Sequence, residues 1–122
     1  MIRVVIDTNV LVSALLTSGG LPEAVIDLAI SGAVQWFASE SVLAEYEVVL
    51  KRPRLAIDSR KAADAIARVR AIVSVVSPAV RVAAATDPDD NQFLECAEAA
   101  QAHHLVTGNI RHFPEAWKRL EL

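Results

Sequence analysis

The chain has 122 residues, 53% of them hydrophobic and 22% charged, with a formal net charge of −3 at pH 7. That length suits one core, residues 1–122, and the composition excludes a disordered chain. One cysteine, Cys96, excludes an internal disulfide and suits a reducing compartment; the negative balance leaves nucleic-acid binding to local patches. No apolar run reaches the roughly 20 residues of a membrane span, and Asp7 inside the first apolar stretch is unlike a secretory signal. The expectation is therefore a cytoplasmic protein with no membrane association.

Apolar β-branched runs alternate with alanine-rich stretches, the pattern of an α/β domain with a mainly parallel sheet. Ile2 to Ile6 predicts a strand, ended by Asp7-Thr8-Asn9, and Val10 to Leu16 a short helix. After the Gly19-Gly20 break, Pro22 opens a helix to about Ile30, with Gly32 as its stop. Val34 to Ala38 predicts a second strand. Ser39 or Ser41 caps the next helix, whose apolar residues Val42, Leu43, Tyr46, Val49 and Leu50 share one face up to Pro53. A long helix from Ser59 to about Val73 follows, then Pro78 and a short strand near Val80 to Ala84. Asp87 and Pro88 open a helix to about Ala102. His104 to Thr107 predicts a strand and Gly108-Asn109 a turn. A last short helix around Glu115 to Arg119 leaves little length for a fifth strand.

Position makes the carboxylates informative. Asp7 ends the first strand, Asn109 follows the His104–Thr107 strand, and Asp90 lies in the first turn of a helix. Ligands of open parallel sheets bind outside the carboxyl ends of the strands, where strand order reverses. If these two strands are central neighbours, the three residues converge. Like charges gathered there call for a hard cation held through oxygen, Mg²⁺ or Mn²⁺. Simpler roles also exist. Asp7 suits a helix cap, Asp87, Asp89 and Asp90 suit a helix start, and Asn109 suits a tight turn. Glu45 and Glu47 flank the apolar stripe of their helix on opposite edges, and periodicity does not choose between them.

The ordered segments IDTNVLVSAL, SVLAEYEVVLKRP, DPDDNQFLECA and LVTGNIRHFP, from Ile2 to about Trp117, resemble the PIN-domain family. Within it they are most similar to the toxin components of bacterial toxin–antitoxin systems, the VapC-like ribonucleases. The resemblance implies a three-layer α/β/α sandwich around a four- or five-stranded mainly parallel sheet. It also implies Mg²⁺- or Mn²⁺-dependent cleavage of RNA. By motif, Asp7, Glu45 and Asp90 become the catalytic, metal-binding acids, Glu45 being the one that precedes Leu50 and Arg52-Pro53. Asn109 occupies the place of a fourth acid and supplies no charge. In-line attack of water on phosphorus would leave a 3′-hydroxyl and a 5′-phosphate, with Thr8, Asn9, Thr107 and Asn109 orienting the carboxylates. The resemblance implies an RNA substrate, a small antitoxin partner and a homodimer, for which the helices at Leu21–Ile30 and Ser59–Val73 offer faces.

Basic residues cluster at Lys51, Arg52 and Arg54, at Arg60 to Arg70, and at Arg111, His112, Lys118 and Arg119. Arg111 and His112 are the expected substrate contacts because they directly follow Asn109. His103 and His104 flank a strand and read as structural, and the aromatics form no stacking ladder. Two other readings stand beside the ribonuclease. A dehalogenase-type phosphatase also begins with an Asp after its first strand, but wants a second Asp where Asn9 stands. A PIN-fold binding module, its acid set weakened at Asn109, would act through RNA or a protein partner.

Overall fold

The computed structural model describes residues 1–114 and 119–122. Its elements run β1 (Ile2–Ile6), α1 (Thr8–Leu16), α2 (Leu21–Ile30), β2 (Val34–Ala38), α3 (Glu40–Leu50), α4 (Ser59–Ile72), β3 (Ser74–Val75), α5 (Asn91–Ala100), β4 (His104–Thr107) and β5 (Arg119–Glu121). The strands form one sheet in the order β3-β2-β1-β4-β5, with every pairing parallel. With its helices, this is the three-layer α/β/α arrangement that the resemblance implies. β1 is central because IRVVI ends in three buried residues and can be covered on both faces.

Local chemistry sets the element ends. Ser39 caps α3, its hydroxyl accepting from the Val42 N–H, and Asp58 caps α4 through the N–H groups of Arg60 and Lys61. Gly32, at φ +82°, lets the chain leave α2 in a conformation that a side chain would oppose. The core joins Val4, Val5 and Ile6 to Trp36, Leu43, Tyr46, Leu50, Phe93, Leu94 and Leu105, with Phe113 packed edge-on against Phe93. The His103 ring nitrogen Nδ1 accepts the Arg3 N–H, a structural role. Among the described residues no single helix is long and apolar enough to cross a membrane.

Three expectations change. Val80 to Ala84 is not a strand; the third strand is Ser74–Val75, which pairs with Phe37 and Ala38. The reason lies in side chains of α5. Glu95 takes the Val82 N–H, and Asn91 takes those of Ala84 and Ala85, so this segment's donors are used away from the sheet. The helix expected from Asp87 begins as a 3₁₀ turn, Pro88–Asp90, before α5. Arg119 opens a fifth strand, Arg119–Glu121, which pairs with β4; the rest of the expected tail helix, residues 115–118, lies outside the described residues.

Candidate active site

Strand register builds the floor. β1 and β4 align Ile6 with Val106, so Asp7 and Thr107 fall side by side just beyond the pair. The Asp7 N–H donates to the Val106 carbonyl at 2.8 Å, and the Thr107 hydroxyl donates to Asp7 Oδ2 at 2.8 Å. Asp7 holds the N-cap position of α1, but its side chain makes no capping hydrogen bond. It is only 4% exposed, and burial raises its pKa; Thr107, the nearby N–H groups of Thr8 and Asn9, and His112 draw it back in part. The order reversal at β1, with β2 on one side and β4 on the other, puts this carboxylate at the switch point of the sheet.

Two further acids arrive from other elements. α3 carries Glu45, whose Oε2 accepts the Thr8 hydroxyl and whose Oε1 accepts Gln92 Nε2 at 2.9 Å. Desolvation raises the Glu45 pKa, opposed by the Thr8 bond, while Asp7 and Asp89 raise it further. Asp90 sits on a fixed turn: Asp87 accepts the Asp89 N–H at 3.0 Å, and the Asp90 N–H reaches the Asp87 carbonyl at 2.9 Å. Burial, then the Asp7 charge, pushes Asp90 up to about 6 despite His112, whose Nδ1 lies 3.6 Å from its Oδ2.

Asp7, Thr8, Asn9, Glu45, Asp90 and His112 line one cleft of about 290 Å³. Thr107 lies fully buried beneath it. Asn109 and Arg111 are not in its lining. The Asn109 side chain accepts the Arg111 N–H, and its amide nitrogen lies 3.2 Å from His112 Nε2, so it holds the turn Ile110–His112 and steadies His112. Asp7, Glu45 and Asp90 line this cleft together, whereas Asn109, expected to converge with Asp7 and Asp90, does not line it and contacts His112 instead.

Several contributors escaped the sequence reading. Gln92 ties Glu45 to the turn that bears Asp90, since it also donates to the Asp89 carbonyl at 3.0 Å. Tyr46, wholly buried, donates to the Ile6 carbonyl and fixes α3 against the residue before Asp7. Its place on an apolar stripe carried no polar signal. Arg52 and Arg54 also line the cleft, and the sequence alone does not set their basic cluster apart from the others.

The donor set suits a hard cation. Asp7, Glu45 and Asp90 offer carboxylate oxygens from three elements, and among the described residues none forms an ion pair with a lysine or arginine. Even so, among the described residues no three His, Cys, Asp or Glu side chains are gathered closely enough to hold a metal as they stand. Direct ligation by all three would draw the carboxylates together.

Comparison with known proteins decides the family, because the PIN-domain sequence profile matches residues 3–111. The chain belongs to the PIN-domain family. An uncharacterized protein of Methanocaldococcus jannaschii is 28% identical over 111 residues, covering 88% of this chain and 71% of the relative. PIN domains are generally nucleases that use divalent metal ions, so this PIN domain carries a nuclease-type fold. The phosphatase reading loses its ground, as Asn9 already suggested.

Proposed function

We propose that residues 1–122 act as a single PIN domain that hydrolyses RNA phosphodiester bonds with Mg²⁺ or Mn²⁺, as the toxin of a cytoplasmic toxin–antitoxin pair. The observation that carries this reading is the meeting of Asp7, Glu45 and Asp90 in one cleft at the switch point, without lysine or arginine ion pairs among the described residues. These three acids would hold the ion. When bound, such an ion supplies Lewis acidity, lowering the pKa of water and offsetting phosphate charge.

The chain's own residues do the positioning. Thr107 fixes one oxygen of Asp7, Thr8 and Gln92 grip the two oxygens of Glu45, and the Asp87 turn fixes Asp90. Asn109 and His112 brace Asp90 from the β4 side. A homodimer is supported by α1 and α2, where Leu16, Leu21, Leu28 and Ile30 are exposed. α4 offers less, because Ala62, Ile66 and Val69 face the core. A small antitoxin would cover the acidic cleft.

Incubating the protein with cellular RNA and mapping the cut ends tests this reading. Cleavage with Mn²⁺ that leaves 5′-phosphates, and that disappears with chelator or in Asp7→Asn and Asp90→Asn, is the expected result. Cleavage that survives in both variants would exclude it. The alternative, a binding module without catalysis, draws support from the Asn109 side chain, which is engaged with its own turn and leaves the fourth position uncharged. It predicts RNA or partner binding with no Mn²⁺-dependent rise in melting temperature.

A further inference from the structure

We propose that Arg52 and Arg54 form a phosphate-binding arm that holds the backbone of single-stranded RNA on the α3 side of the cleft. This rests on the ribonuclease reading and adds where its substrate is held. Both arginines are exposed and line the same cleft as Asp7, Glu45 and Asp90. Neither arginine makes an ion pair among the described residues.

Several other cations are engaged elsewhere. Lys51 pairs with Glu47 at 3.0 Å and Arg70 with Glu40 at 3.4 Å. Arg3 donates to the Gln101 carbonyl, and Arg119 to those of Ile110 and Phe113. Arg111, the arginine expected to meet substrate, is not in the cleft lining.

The loop that presents the pair is fixed. Pro53 restricts φ, the Leu55 N–H closes on the Arg52 carbonyl at 3.1 Å, and the Ala56 N–H closes on that of Pro53 at 3.0 Å. Ala56 then leaves the turn at φ 51°, in the left-handed region. A chain of net charge −3 has no general cationic field, so a polyanion must be held by such a local group. Guanidinium forks match phosphate oxygens in pairs.

The test is fluorescence anisotropy with a labelled single-stranded RNA of about a dozen nucleotides, in Mg²⁺, on an Asp7→Asn background that suppresses cleavage. Salt is varied between about 50 and 200 mM. Losing two single-strand phosphate contacts in R52Q/R54Q should flatten the plot of log affinity against log salt by about 1.4 and weaken binding at least tenfold at low salt. R52K/R54K should keep most of the slope. R60Q/R68Q, on α4 and outside the cleft, should bind as the background does. If RNA binds but R52Q/R54Q keeps the full slope, or R60Q/R68Q loses as much, the arm is overturned and the ribonuclease reading stands. If the background binds no RNA at low salt, both fall.

Discussion

Replacing Asp90 by Asn tests whether the acids of the cleft oppose folding until a cation neutralises them. Asp90 rises from its ordinary 3.8 to about 6, first through burial and then through the Asp7 charge. A folded-state pKa above the unfolded value means that the native protein binds more protons between those two values. Wild-type stability therefore falls as pH rises through that window and stays lower above it. Two units correspond to about 3 kcal/mol, which screening at a partly exposed side chain cuts to about 1–2 kcal/mol. Asp90→Asn lacks this penalty. In EDTA at pH 8 it should melt about 4–8 °C above wild type, with the gap closing towards pH 4. Excess Mn²⁺ should reverse the order, since about 100 Kd of a ligand bound only by the native state adds about 2.7 kcal/mol to the wild type alone. Circular dichroism melts from pH 4 to 8, with and without metal, give the answer. A variant no more stable than wild type at pH 8, or one that gains equally from Mn²⁺, would refute this reasoning.

Thr107→Val keeps the shape of a fully buried side chain and removes the donor to Asp7. It should destabilise the metal-free protein by about 1.5–3 kcal/mol at pH 7.5 and by less at pH 4, measured by urea denaturation. Gln92→Ala frees Glu45 Oε1 from the Asp90 turn and should weaken Mn²⁺ affinity by about 10- to 100-fold in calorimetry, with a small change in melting temperature. Asn109→Asp replaces the amide beside His112 Nε2, in a side chain already engaged with its own turn. It should change Mn²⁺ affinity by less than about threefold in the same calorimetry, because the new charge is not in the cleft lining.

The strands that build the centre were legible because β1, β2 and β4 are short runs of apolar residues closed by polar ones. The place of Asp7 followed from that, and so did its convergence with Asp90. Periodicity did not separate Glu45 from Glu47; the motif leading to Arg52-Pro53 did, and Glu45 is the one bonded to Thr8 and Gln92, while Glu47 pairs with Lys51 outside the cleft. β3 is not legible in the sequence because its two residues carry almost no pattern. The apolar run near Val82 imitates a strand whose donors in fact meet Glu95 and Asn91. Gln92 and Tyr46 were invisible because their roles are contacts across long sequence separations, set by packing of α3 and α5 rather than by a local motif.

Anomalous diffraction from crystals grown with Mn²⁺ addresses the central claim most directly. One strong peak in the cleft, within bonding distance of Asp7 and Asp90 and reached by Glu45 directly or through water, is the predicted result. Full occupancy of Mn²⁺ elsewhere, with these three carboxylates bare, would contradict it.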